Sequence, residues 1–432
     1  MKALRKLLPA LSGLALLAPT LARAQSIDSG DTAWLMTSTA LVLFMTLPGL
    51  ALFYGGLVRT KNVLSVLMQC FSICCVVSIL WLVMGYSMAF SETALNGWVG
   101  GLSNAFLSNT GIATVNGTIP DSVFVMFQLT FAIITPALIV GGFAERMRFP
   151  AMLLFSILWV IVVYFPVTHW VWATDQGWLN IRGFRDFAGG AVVHVNAGVA
   201  AIVAALVLRN RRGFPEEPMP PHNLTMTVAG ASMLWVGWFG FNGGSAVASN
   251  GAAGMAILVT HISASAGALA WMTMEWIRFG KPSVLGIVTG MVAGLGTITP
   301  ASGYVGPVGG LVIGLVAGVV CFLATQIIKR KLRIDDSLDV FPVHGVGGFL
   351  GLLLTAPLSV YLGGVAPLAD GQTVGGQFLV QLTGAAAVLI WSGVATFVLL
   401  KLIGVVTPLR AEEDDERQGL DLTQHEERGY NL

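Results

Sequence analysis

Two histidines, His194 and His344, stand inside long apolar stretches of a 432-residue chain in which only 10% of residues are charged. Ionisable side chains at membrane depth are costly to bury, so they usually face an interior and act there. Each histidine follows an aspartate by eight residues (Asp186 and Asp336) and precedes a glycine by four (Gly198 and Gly348). A neutral imidazole both donates and accepts a hydrogen bond. A pair of them on different helices can therefore pass a proton or replace part of the hydration of a small polar molecule. Two histidines can also ligate a haem or a metal, but the sequence has no HExxH, and its four cysteines (Cys70, Cys74, Cys75, Cys321) sit in apolar blocks without metal-ligand spacing. The chemistry suits a weak acid–base substrate better than a metal ion, and no cofactor is expected.

Aromatic residues extend the pattern. Phe127 and Phe131, four apart, share one helix face, and so do Phe241 and Ser245. Trp172 falls near the end of another apolar block. Aromatic faces attract a partly dehydrated cation, and a serine hydroxyl can accept one of its N–H groups.

These residues need a membrane scaffold. The chain is 55% hydrophobic with a mean hydropathy of +0.78, far short of the charged surface that a soluble domain carries. Its apolar blocks are each about as long as a bilayer span. They predict eleven transmembrane helices, near 32–57, 63–90, 121–143, 150–173, 187–208, 223–248, 252–277, 284–301, 304–328, 340–360 and 376–403. The net charge of +1 says nothing about nucleic acid, and no basic cluster with interleaved aromatics points to such a partner, so none is expected. The partner implied by composition is the lipid bilayer.

The first 24 residues read as a cleaved signal peptide: Lys2, Arg5 and Lys6, then an apolar run, then Ala22-Arg23-Ala24. With the mature N-terminus outside, the inner connections carry Arg59 and Lys61, Arg146 and Arg148, Arg209, Arg211 and Arg212, Arg278 and Lys281, and the run from Lys329 to Arg333. The outer connections carry only Arg182 and Arg185. Positive residues collect on the cytoplasmic side, so this alternation predicts the inner (cytoplasmic) membrane, an outside N-terminus and an inside C-terminus. The expected organisation is a signal peptide at 1–24, a membrane domain at 25–408 and a cytoplasmic tail at 409–432.

Phe53-Tyr54-Gly55-Gly56 at the end of span 1 matches Phe241-Asn242-Gly243-Gly244 in span 6, and the two Asp–His–Gly spacings open spans 5 and 10. Spans 1–5 and 6–10 therefore read as two copies of a five-helix unit, followed by a final helix. An odd number of spans makes the copies inverted, with substrate sites near the midplane where they meet. The fold class expected is an all-α polytopic membrane protein.

Four segments, taken together, resemble the ammonium transporter family (Amt/Mep/Rh). They are Phe53-Tyr54-Gly55-Gly56, Asp186-Phe187-Ala188-Gly189-Gly190-Ala191-Val192-Val193-His194, Gly237-Trp238-Phe239-Gly240-Phe241-Asn242-Gly243-Gly244-Ser245 and Asp339-Val340-Phe341-Pro342-Val343-His344-Gly345. The resemblance runs from about residue 30 to the C-terminus and is stronger to the bacterial Amt branch than to the Rhesus branch, because of Trp172 and Ser245. It implies an outer ammonium site of Phe127, Trp172 and Ser245, and a stacked gate of Phe131 and Phe241. It also implies a pore lined by His194 and His344 and walled by Trp238. Asp186 is implied to hold structure and favour the cation without touching it. The resemblance further implies a homotrimer and a regulatory tail that supports blockade of transport by a cytoplasmic PII-family signalling protein. The family usually has His-Gly-Glu in the tail, whereas this chain has His425-Glu426-Glu427. On composition alone the charged tail from Ala411 would be solvated.

The physical logic is that of a weak acid. Dragging an intact cation into a dry slot costs several kcal/mol or more; ammonium can surrender a proton and escape that cost, whereas potassium cannot. The competing expectations are an electroneutral Rhesus-like gas channel and an ammonium sensor. A sensor would carry a long signalling domain, which the tail after Ile403 is too short to be. A third, a membrane enzyme or haem protein, would show a cofactor spectrum after purification.

Overall fold

The computed structural model describes residues 27–95 and 97–431, so the expected signal peptide at 1–24 lies outside the described residues. Among the described residues, ten helices are long and apolar enough to cross a membrane. They are α1 Ser29–Leu57, α2 Thr60–Phe90, α3 Asp121–Phe143, α4 Phe149–Trp172, α5 Gly190–Leu208, α6 Leu224–Gly244, α7 Gly251–Phe279, α9 Pro307–Lys331, α10 Phe341–Leu358 and α11 Val374–Val406. A shorter apolar helix, α8 Val284–Ile298, completes the eleven expected. Its 15 residues rise only about 22 Å, and a buried turn over 299–302 follows it in the interior.

Local chemistry sets the boundaries. Asn223, Asn250, Ser283 and Thr373 cap α6, α7, α8 and α11 by accepting backbone N–H groups of the first turn, and Pro307 begins α9 where no N–H is required. Backbone groups in lipid must be satisfied within the helix, so such ends are where side-chain oxygens are needed.

The two halves meet as their sequence symmetry requires. The opening helices α1 and α6 pack on each other, and the closing helices α5 and α10 cross at the centre. That crossing is close: a Cβ added at Gly348 would lie 2.8 Å from both the Gly190 carbonyl and the His194 Cβ, and one added at Gly198 would overlap the Gly345 backbone. The glycine four residues after each histidine thus lets the other histidine's segment approach. Helix α11 covers the outside of α4, α5 and α10.

The charged tail is docked rather than solvated. Two short helices, α12 Glu413–Gln418 and α13 Leu420–His425, lie across the bundle. Arg410 binds Glu416 through two hydrogen bonds of 2.5 and 2.9 Å. Asn62 Oδ1 accepts from the Leu420 N–H at 2.9 Å, and Asp421 Oδ1 accepts from the Ser65 N–H at 2.7 Å, at the start of α2. Gln424 Oε1 accepts from the Phe149 N–H at 2.7 Å at the start of α4. Specific capping groups placed over two helix ends decide the conformation here, which composition alone does not reveal. Glu426, where the resembled family has glycine, takes a left-handed backbone (φ 57°, ψ 27°) at the end of α13.

Candidate functional site

Both histidines sit in a widened helical turn of π type, Gly190–Val195 in α5 and Phe341–Val346 in α10. Such turns are often found at functional sites. The rings meet with their Nδ1 atoms 3.1 Å apart and their planes 15° from parallel. One Nδ1 must donate and the other accept, so the neutral pair offers one free Nε2 acceptor and one Nε2–H donor at its two ends. His194 Nε2 is buried without a protein partner.

The aromatic residues form a chain leading to this pair. Phe127 lies edge-on to Phe131 at 5.0 Å, and Phe131 lies edge-on to Trp172 at 5.6 Å. Phe131 and Phe241 are in contact, with ring centroids 4.3 Å apart, and both are about 1% exposed. Below them, Phe241 and Trp238 stack on His194 at 6.0 and 5.5 Å. Ser245, half-buried, donates its hydroxyl to the Phe241 carbonyl at 2.8 Å and leaves its oxygen lone pairs free. Phe127, Phe131, Trp172, Phe241, Trp238, His194 and His344 thus form one continuous line of ring contacts, which Ser245 joins through the Phe241 carbonyl.

Asp186 stands behind that line. Its Oδ1 accepts from the N–H groups of Gly189 and Gly190 (3.0 and 2.5 Å), and its Oδ2 accepts from those of Ala191 and Val192 (2.8 and 3.2 Å). Four otherwise orphaned donors at the head of α5 are satisfied by one buried carboxylate. Its main-chain carbonyl accepts the indole N–H of Trp172 at 2.9 Å. The equivalent Asp336 is used differently: Oδ2 accepts from the Phe341 N–H at 2.7 Å while Oδ1 is buried without a partner. Burial, and then the neighbouring Asp339 charge, push the Asp336 carboxyl up to about 7.

Beneath Phe241, the two histidines, Trp238 and aliphatic side chains such as Leu138 and Val292 enclose an apolar slot. The centre of a water-sized molecule has about 10 Å³ in it, roughly what a single such molecule needs. The slot shares Phe53, Val292 and His344 with a wider vestibule that opens on the face carrying the tail.

Sequence reasoning missed several participants. Thr299 fixes the Trp238 wall by accepting its indole N–H at 2.9 Å. Gly296 backs the imidazole pair: a Cβ there would stand 3.8 Å from His344 Nδ1 and 3.9 Å from His194 Nδ1. Lys329 and Asp339 pair at 2.8 Å in the vestibule. Glu145, Arg211, Asp335 and Arg146 form a buried ion network beside it. Burial alone would raise the Glu145 and Asp335 carboxyls, but the surrounding arginines hold both below the usual range. No charge pattern in the sequence distinguishes these residues from ordinary loop charges.

The remaining histidines are structural or peripheral. His169 lies between the Ala89 carbonyl and Thr93 Oγ1. His222 lies between the Val58 carbonyl and the Tyr430 hydroxyl, and so ties down the end of the tail. His261 is exposed on α7, stacked on Trp235 at 5.2 Å. Among the described residues no cluster of His, Cys, Asp or Glu could hold a metal ion.

Comparison with known proteins agrees over nearly the whole chain. Residues 33–430 match the Ammonium Transporter Family. An ammonium transporter of Bacillus subtilis is 46% identical over 411 residues, covering 94% of this chain and 99% of that protein. The crystal structure of Saccharomyces cerevisiae Mep2 superposes with a TM-score of 0.82 at 37% identity, covering 90% of this chain and 89% of that one. A structure described as a sensor Amt protein gives a TM-score of 0.85 at 27% identity, covering 92% of this chain and 98% of that one.

Proposed function

Because this chain belongs to the ammonium transporter family, we propose that it moves ammonium by stripping off a proton above a pair of imidazoles and passing ammonia along the slot that they line. The observation that carries this reading is the hydrogen-bonded pair itself, His194 and His344, in an apolar slot sealed by Phe131 and Phe241.

Phe127, Trp172 and Ser245 recruit the cation. The aromatic faces attract its charge, and the free lone pairs of Ser245 accept one N–H. Phe131 and Phe241 close the way below, so an intact cation would have to shed its hydration to enter, at a cost of several kcal/mol. Ammonium loses a proton there, and neutral ammonia enters. In the slot ammonia meets an imidazole nitrogen as hydrogen-bond partner and the stacked wall of Trp238. Asp186 positions this machinery through Trp172 and the head of α5, and its negative charge favours a cation nearby.

The proton crosses separately. It joins the free Nε2 of one ring, the bridging Nδ1 proton shifts to the second ring, and the Nε2 proton of that ring leaves. One ammonium taken up thus delivers one ammonia and one proton, and transport is electrogenic. We assign the tail-bearing face to the cytoplasm from the Lys and Arg bias of its loops. The chain acts in the cytoplasmic membrane as a homotrimer, with the docked tail as the contact for a PII-family protein.

Growth of a transporter-deficient strain at low ammonium and low external pH tests this reading. Rescue is expected; failure with the protein present in the membrane would overturn it. The similarity to a sensor Amt protein gives a second reading, in which the same outer site only reports ammonium, and such a chain would bind without rescuing growth.

A further inference from the structure

The tail-side vestibule beneath His344 has room for water-sized molecules over about 110 Å³, and among the described residues Lys329 and Asp339 are the only charged ones lining it. Lys329 Nζ lies 2.8 Å from Asp339 Oδ2 and 3.4 Å from the Ser337 carbonyl. The other oxygen of Asp339, Oδ1, is buried and has no protein partner. Asp339 holds a left-handed backbone with φ 60°, which aspartate and asparagine tolerate better than most residues. Its main chain leads directly into the histidine turn, since its carbonyl accepts the Val343 N–H at 3.2 Å.

A lysine head group is a primary ammonium on a flexible four-carbon stem. It offers the charge and hydrogen-bond donors of the substrate, but it is covalently held. The Lys329 side chain is 28% exposed, so it is free to swing into water. With Lys329 in place the lining of the vestibule carries no net charge; without it, a partly unsatisfied carboxylate would face the exit of the pore.

We propose that Lys329 is a tethered competitor for ammonium, occupying the Asp339 carboxylate at the tail-side mouth and keeping free ammonium of that compartment from binding there. The inference rests on the transport reading above. Equilibrium across the membrane is untouched. What changes is the concentration at which the tail side saturates, so the protein is less easily filled from behind.

The test uses the full chain in membrane vesicles of defined sidedness, right-side-out and inverted, with ammonium itself as the probe. Initial flux is followed against ammonium added on each face. Lys329→Met is expected to lower the half-saturating ammonium on the tail side about five-fold, the scale of a partly exposed ion pair. Lys329→Arg is expected to behave like the unaltered chain. Lys329→Met combined with Asp339→Asn is expected to return to the unaltered value, because the freed carboxylate is then absent. Unchanged tail-side saturation in Lys329→Met, with normal flux from the opposite face, overturns this inference alone. Absence of ammonium flux in the unaltered chain overturns the transport reading and this inference with it.

Discussion

The indole N–H of Trp172 donates to the main-chain carbonyl of Asp186 at 2.9 Å, while the carboxylate of that same aspartate gathers the four N–H groups heading the segment of His194. One residue therefore ties Trp172 to the segment that carries His194. The geometry of the path depends on a side chain that does not line it.

Asp186→Ala follows as the first prediction. It strands four buried donors, each costing about 1–3 kcal/mol when unmet. We expect thermal unfolding in detergent to shift strongly downward and ammonium uptake to be lost, with altered Trp172 emission. Wild-type stability in that variant would show that the carboxylate does not hold the segment.

Gly296 gives a graded steric test. A methyl group at that position would meet both imidazoles at ordinary contact distance, 3.8–3.9 Å, so Gly296→Ala should retain uptake within about two-fold. Gly296→Leu would push several atoms into the Nδ1–Nδ1 contact, and overpacking of that kind costs roughly 1–3 kcal/mol. Its uptake should fall at least about ten-fold, as measured with equal amounts of protein in the membrane.

Asp336 predicts a pH dependence of stability. Its carboxyl is pushed up to about 7, first by burial and then by Asp339, against an ordinary value of about 4. A group that binds its proton more tightly when folded favours the fold at low pH, and that contribution is lost as pH rises through about 7. Unfolding temperature should therefore drop between about pH 4 and pH 7 and level off above that. Asp336→Asn, which keeps an acceptor for the Phe341 N–H, should flatten the drop. Parallel profiles for the two proteins would exclude this assignment.

At the tail, Glu426 holds a left-handed backbone with φ 57°, which costs a residue with a Cβ about 1–2 kcal/mol relative to glycine. Glu426→Gly should tighten the docked tail, slowing hydrogen exchange at the Glu427 amide, which donates to the Asp421 carbonyl at 3.1 Å. Faster exchange would mean that the side chain contributes contacts outweighing the strain.

Much of the scaffold was legible because a bilayer imposes a simple rule on sequence. Span lengths and loop charges predicted eleven helices, and the structure has ten long ones and a short eighth, α8, where a buried turn completes what hydropathy read as helix. The repeated Asp–His–Gly spacing predicted that the two halves converge, and α5 and α10 do cross at their histidines. The same spacing hid a difference: Asp186 satisfies four backbone donors, whereas Asp336 leaves one oxygen unpaired. Identical spacing does not fix which neighbours a carboxylate finds. The Arg211 network was invisible for a related reason, since charges far apart in sequence, such as Arg211 and Asp335, meet only once the helices are packed; Lys329 and Asp339 are brought together by the turn between α9 and α10. The tail misled by composition, because a few polar side chains set against helix starts outweigh its overall hydrophilicity.

The central claim is that ammonium parts with its proton above His194 and His344 and that the proton crosses on its own. Current recorded from proteoliposomes exposed to an ammonium gradient tests it most directly. We predict an inward current that saturates with ammonium, is absent with potassium, and disappears when both histidines are replaced by alanine. Ammonium uptake without any current would leave only neutral ammonia conduction and contradict the claim; an equal current with potassium would mean that an intact cation passes the Phe131–Phe241 gate.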